Sequence, residues 1–331
     1  MAISNIKQDE LLTLDDIVFT HNNFDDYIKI MGIENLDSSS VSSLIKFIGY
    51  FEGNGYFNYN YTTKGTGIEI TLYRPKRSQS FLMDLKNNVL GFGEVYFCET
   101  DNRFVLSISG KEDIFKIIHL LNGNLSSLYA LNEFQTFLNV YNERYNTSIS
   151  FKPTLVDINL STSWLSGFID STGFFSCHTT IKRNLDGVQI LKRRRNDHKD
   201  FINEDHLDFR DKSYKFSIKF TICHSDRHIV EGIRDLLKTK KKLFVHYNDD
   251  FDQPSYEFDT SSKAVIKKIK KYLNKPENFL ETPENSEILS SWFNLFEDMN
   301  MDIHKENPQE FYNDVKIFNK LNKRLNVFGE V

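Results

Sequence analysis

Residues 47–57 read FIGYFEGNGYF, and residues 165–175 read LSGFIDSTGFF. Apolar residues, a glycine, an acid, a second glycine and a pair of aromatics recur in the same order 118 residues further on. That period belongs to a duplicated half-domain and not to a solenoid. Serine- and threonine-rich starts at 38–43 and 161–163 offer helix N-caps, and Gly55 and Gly173 suit helix C-termini, so the spacing predicts two short helices. Within them Gly49 and Gly53, and likewise Gly167 and Ser171, stand four apart and share one face. Two such faces can meet with their backbones nearly touching, which predicts a two-fold-like helix pair at the boundary of two similar halves.

Outward from each helix the hydrophobic period shortens from about 3.6 to 2. Residues 214–222 are the clearest case, with Phe216, Ile218, Phe220 and Ile222 alternating with Lys215, Ser217, Lys219 and Thr221. One face is core and the other is wet. Further strands are predicted at 67–73, 92–99, 103–109, 243–248 and 255–260. Helices are predicted near 77–88, 111–120, 129–145, 226–239, 261–273 and 285–298. The order αββαββα is written twice, which gives an α+β class with an antiparallel sheet in each of two pseudo-symmetric halves. The expected division is an acidic N-terminal extension at 1–40, half-domains at 41–150 and 151–300, and a C-terminal helical tail at 301–331 carrying Phe311, Val315, Phe318 and Leu321. A connection at about 183–212 exceeds ordinary hairpin length.

Composition sets the outer limits. The chain of 331 residues is 26% charged and 40% hydrophobic, which excludes a collagenous, low-complexity or wholly disordered polymer. No apolar run reaches the roughly 18 residues of a membrane span, and the acids at Asp9, Glu10, Asp15 and Asp16 argue against a transit peptide. Cys98, Cys177 and Cys223 are too few for a disulfide framework and read as small buried hydrophobes. A net charge of −5 gives no support to nucleic-acid binding, but its distribution does. Residues 1–160 carry 13 basic and 19 acidic side chains, and the remainder 28 and 27. Cys223, His224 and His228 lack a fourth partner at zinc-site spacing and read as strand-end and helix-start residues.

The repeated segment resembles the signature of the LAGLIDADG homing endonucleases and group I intron maturases in its single-chain, double-motif form. Residues 47–55 and 165–173 align with the nine-residue motif, supported by Leu90-Gly91-Phe92-Gly93, Leu121-Asn122-Gly123-Asn124-Leu125 and Trp164. The resemblance covers roughly 40–300 and implies two antiparallel sheets forming a saddle over a polynucleotide. It also implies a carboxylate from each half at the eighth motif position, holding divalent metal over the scissile phosphates. Here those positions are Asn54 and Thr172, neither of which supplies negative charge. Acids stand instead at the sixth position, Glu52 and Asp170, and an offset of two residues turns a helical side chain about 200° away. The positions where the family often has a lysine align with Ser126 and Glu281.

On the saddle, the candidates for contact with nucleic acid are Asn58, Asn60, Lys64, Arg74, Lys76 and Arg77 in the first half. In the second half they are Lys182, Arg183, Lys192, Arg193, Arg194, Arg195, Lys215 and Lys219. Such charges anchor phosphates and release counterions, while amides and hydroxyls read base edges; each also reads as ordinary solvated surface. Tyr56, Tyr73 and Tyr96 are candidates for stacking on unpaired bases.

The leading reading is a nucleic-acid-binding protein diverged at its metal positions, an RNA-splicing maturase for a group I intron. Its rivals are an active DNA endonuclease of intron homing, with Glu52 and Asp170 in service, and a non-catalytic organellar ribosome-associated protein. No cofactor is expected, with Mg²⁺ required only under the endonuclease reading. The expected partner is structured RNA or double-stranded DNA, with no membrane, the protein acting as a monomer. The resemblance implies an intron-encoded, organellar origin; the excess of Phe, Tyr, Ile, Asn and Lys fits an AT-rich mitochondrial genome, and translation inside the organelle would account for no import sequence being expected.

Overall fold

The computed structural model describes residues 11–62, 65–185, 188–191, 212–247 and 254–325. An N-terminal arm comprises β1 (Val18–Thr20) and α1 (Asp25–Met31). The first half follows as α2 (Ser38–Asn54), β2 (Gly55–Thr62), β3 (Gly65–Pro75), α3 (Gln79–Asp84), β4 (Glu94–Cys98), β5 (Arg103–Ser109), α4 (Lys111–Leu121) and α5 (Leu128–Tyr145). A linker strand, β6 (Thr154–Val156), leads into the second half. That half contains α6 (Trp164–Thr172), β7 (Gly173–Leu185), β8 (Val188–Leu191), β9 (Lys212–His224), α7 (Arg227–Leu236), β10 (Phe244–His246), β11 (Ser255–Thr260), α8 (Lys263–Leu273) and α9 (Pro283–Asn300). The tail adds α10 (Ile303–Glu306) and α11 (Pro308–Leu325).

The first sheet runs β2-β3-β5-β4 and the second β10-β11-β9-β7-β8, all neighbours antiparallel. Alternation sorts each strand into a core face and a wet face, as in β9, where Phe216, Ile218, Phe220 and Ile222 are buried. The β8 strand lies inside the stretch expected to be a plain connection, where it pairs residue for residue with the end of β7. In the tail, Phe311, Val315 and Phe318 of α11 are buried, as its amphipathic pattern demands.

The α2–α6 pair joins the halves. A Cβ built on Gly49 would meet the Trp164 carbonyl oxygen at 2.1 Å, and one on Gly167 would meet that of Lys46 at 1.9 Å. Each glycine therefore admits the partner backbone into the space a side chain would fill. Gly53 faces Ser171 in the same way, its virtual Cβ falling 1.9 Å from the serine oxygen. Gly55 and Gly173 differ from expectation. Their φ angles of −98° and −74° are extended, so no left-handed cap ends either helix. They are glycines for space, because a Cβ would lie 2.1 Å from the Phe51 ring and 2.6 Å from the Ile169 carbonyl oxygen respectively. The N-cap of α2 is Asp37, accepting the Ser40 amide at 2.7 Å, and not one of the serines.

The N-terminal arm is bound into the molecule. β1 pairs in parallel with the linker strand β6, and Asn124 and Asn132 bond the arm's backbone at Asn23 and Leu12. Of the three cysteines Cys177 is buried, whereas Cys98 is half-buried and Cys223 is exposed on the wet face of β9, contrary to a buried reading for all three.

Candidate functional site

Where the two motif helices end, their C-termini open into a cleft of about 280 Å³ between the sheets. Asn54 and Thr172 line it together, as the repeat requires, with Arg74, Arg103, Glu284 and Asn285 beside them. The Asn54 amide donates to the Tyr73 carbonyl at 3.3 Å, and the Thr172 hydroxyl donates to the Phe168 carbonyl one helical turn back at 2.8 Å. Both floor side chains are neutral and already tied to backbone.

Glu52 and Asp170 do not reach this floor. Both are buried, and each caps the turn that starts the last long helix of its own half. Glu52 Oε1 accepts the amides of Ser126 and Ser127 at 2.7 and 2.6 Å as the chain enters α5, and Oε2 accepts Trp164 Nε1 at 2.5 Å. Asp170 Oδ2 accepts the amides of Glu281 and Thr282 at 2.7 and 3.0 Å as the chain enters α9. Its Oδ1 takes the Thr282 hydroxyl and the Asn285 amide. The placement is pseudo-symmetric, and it puts Ser126 and Glu281 at equivalent positions. The physical reason is helix geometry: the sixth motif position faces into its own half while the eighth faces the cleft. A carboxylate at a helix entry satisfies amides that have no partner within the helix and complements the dipole. Burial pushes the Glu52 carboxyl up to about 7 against the pull of its three N–H donors.

A divalent metal, which the resemblance implies, does not fit these residues. Hard cations at a phosphate are held chiefly by carboxylates, and the floor offers only a neutral amide and a hydroxyl. The carboxylate oxygens of Glu52 and Asp170 are occupied by protein donors. Glu284, the acid on the cleft wall, is buried; its Oε1 accepts Ser78 Oγ at 2.5 Å and Arg74 Nη2 at 3.4 Å, and its Oε2 lies 3.9 Å from Arg77 Nε, so its charge is offset by two guanidinium groups. Among the described residues no group of three or more His, Cys, Asp or Glu side chains is placed to hold a metal.

The expected contact residues divide. Arg74 is buried and not a free cleft cation; it pairs with Glu284 across the two halves and lies 5.4 Å from the Tyr50 ring centroid. Its parity was the overlooked signal, since it continues the inward series Ile68, Ile70, Leu72. Arg77 joins the same acid. Lys219 is held by the buried Asp259, which also takes Lys241. Asn58 donates to Thr71 Oγ1 at 2.7 Å, so its amide is engaged in the wet face of the first sheet. Lys76 and Lys215 are exposed, Lys76 lying 4.5 Å from the Phe97 ring centroid. Lys64 and Lys192 to Arg195 fall outside the described residues, as do the side chains of Asn60, Lys182 and Arg183. His224 accepts the Asp226 amide at 3.0 Å and packs on Phe168, a helix-entry role in keeping with its sequence reading.

No family model matches the sequence. A curated relative, the "Probable intron-encoded endonuclease 4" of Neurospora crassa, is 32% identical over 137 residues, 40% of this chain. The match spans 24% of that relative's length. Among solved structures, the LAGLIDADG meganuclease I-AabMI bound to uncleaved DNA superposes with a TM-score of 0.58 at 13% identity, covering 82% of this chain and 98% of that one. The LAGLIDADG homing endonuclease I-LtrWI bound to target DNA gives 0.58 at 15% identity, with 86% and 98% covered. I-SmaMI, bound to an uncleaved DNA target with calcium ions, gives 0.55 at 14% identity over 86% and 98%.

Proposed function

We propose that this chain, whose fold is that of the LAGLIDADG homing endonucleases, binds structured nucleic acid between its two sheets and does not cut it. Its role is that of an RNA-splicing maturase that stabilises the folded core of a group I intron. The observation that carries this reading is the cleft floor, where Asn54 and Thr172 stand in the position of metal ligands while the nearby motif acids are sealed into helix entries. Carboxylates without a metal would repel a phosphate at close range; a neutral floor removes that repulsion. One chain carries both motifs, so the binding unit is a monomer. The name of the curated relative supports an intron-encoded origin, and with it the richness in Phe, Tyr, Ile, Asn and Lys supports a mitochondrial setting.

The test uses purified protein with its intronless target DNA and with precursor RNA containing its host intron. DNA should stay intact in Mg²⁺, and splicing should accelerate at low Mg²⁺. Metal-dependent cleavage by the unaltered protein would overturn the reading. Paired Asn54→Asp and Thr172→Asp replacements should create metal-dependent cleavage. A second reading, a DNA endonuclease of intron homing, is favoured by the relative's printed name and by the DNA-bound neighbours. Under it the unaltered protein cuts its DNA target in a Mg²⁺-dependent reaction.

A further inference from the structure

The triplets Asn54-Gly55-Tyr56 and Thr172-Gly173-Phe174 occupy equivalent places in the two halves. In each, the motif helix ends, a glycine packs tightly, and the first outward side chain of the new strand is aromatic. Tyr56 is 51% exposed and Phe174 43% exposed. Both line the cleft that contains Asn54 and Thr172. Tyr73 lines it too, edge-on to Tyr56 at 5.9 Å and 72°, and Tyr96, also exposed, lies on the same sheet face in register with it through Val105. Single exposed aromatics need no explanation, but two at symmetry-equivalent positions aimed into one cleft are not accounted for by packing.

Charge on these faces points the same way. Arg74 and Lys219 are committed to buried acids, and the wet face of the first sheet presents Glu69 and Glu94. At this floor Arg74 is committed to Glu284, and Arg103 is the other described cation on the lining, so a contact with bases would add affinity that phosphate contacts do not supply. Aromatic rings supply one by stacking on bases, and a base offers its face only when it has left the duplex stack. We infer that Tyr56 and Phe174 form a paired stacking platform for unpaired nucleobases, so that the cleft floor takes RNA at a bulge, junction or single-stranded step and not a continuous duplex. This inference rests on the nucleic-acid-binding reading and narrows its ligand.

The experiment measures affinity of the full chain, by fluorescence anisotropy at physiological salt, for an RNA duplex and for the same duplex with a central two-nucleotide bulge. A second bulged duplex carries 2-aminopurine in the bulge to report stacking. The bulged RNA should bind at least about tenfold more tightly, with quenched 2-aminopurine. Tyr56→Ala and Phe174→Ala should each weaken that complex by about tenfold and relieve the quenching, while binding of the continuous duplex stays unchanged. Tyr56→Phe should keep both. Both side chains are exposed, and unchanged melting of the variants confirms that folding is intact. Equal affinity for the two RNAs, or alanine variants that leave the bulged complex unaltered, would overturn the stacking platform while leaving nucleic-acid binding in place. Failure to bind any of these RNAs would overturn the broader reading and this one with it.

Discussion

Two residues separate Glu52 from Asn54, and Asp170 from Thr172, yet the members of each pair stand in opposite surroundings. Glu52 and Asp170 are buried, each receiving two backbone amides from the turn that opens α5 or α9, and Glu52 also receives the Trp164 indole N–H from α6. Asn54 and Thr172 face the cleft, and each makes one bond to a backbone carbonyl. An acid at the interior position holds secondary structure together. At the floor position an acid would bear only on a ligand. The first kind of site cannot lose its acceptor oxygens without stranding amides, whereas the second can change chemistry at little cost to the fold.

The sharpest way to break the comparison is to remove the helix contact on which both positions depend. Gly167→Ala drives a methyl group into the Lys46 carbonyl, where neither backbone can yield. It should cost on the order of 4–5 kcal/mol, read as loss of the cooperative thermal transition. Next come the interior acids: Glu52→Ala or Asp170→Ala leaves buried amides without acceptors and should cost on the order of 3 kcal/mol in a denaturant titration. A milder effect is pH dependence. The folded Glu52 carboxyl is raised from 4.5 to about 7, so the stability it contributes is complete below about pH 4.5 and is lost as pH rises through about 7. The slope is at most about 1.4 kcal/mol per pH unit. His224, lowered by burial, acts in the opposite sense below its ordinary value of 6.5, so the measurement is the difference in melting temperature between the native protein and Glu52→Gln across pH 4.5–8. The smallest effect belongs to the floor: Asn54→Ala and Thr172→Ala should each move stability by less than about 0.5 kcal/mol. A floor substitution as damaging as an interior one would erase the distinction.

The architecture was legible because its signals are local. Alternation in 214–222 marks β9 within Lys212–His224, the small residues four apart mark the helix contact, and the duplicated motif marks the symmetry. The meeting of Asn54 and Thr172 in one cleft was legible, because the motif itself supplies the register. The tasks of Glu52 and Asp170 were hidden because their partners lie 74 and 111 residues downstream. A trace of them exists in the serine or threonine pair positions, Ser126-Ser127 and Glu281-Thr282, that precede helices in both halves and need an acceptor. Arg74 departs from the wet-face expectation for a different reason: its charge suggests solvent, whereas its strand parity points inward to Glu284. Lys46 was not singled out at all, yet it is buried on α2 and reaches Glu281 at 2.7 Å and the Phe279 carbonyl at 3.0 Å.

The pairing of β1 with β6 bears on the order in which this molecule can be assembled. A strand near the start of the chain finds its neighbour in a segment emerging some 136 residues later, after the whole first sheet has been made. During synthesis the leader must therefore wait, unpaired, until the connector has cleared the ribosome. A gene divided between the two halves, just ahead of residue 154, would separate that strand from its mate and leave the two fragments to find each other through it.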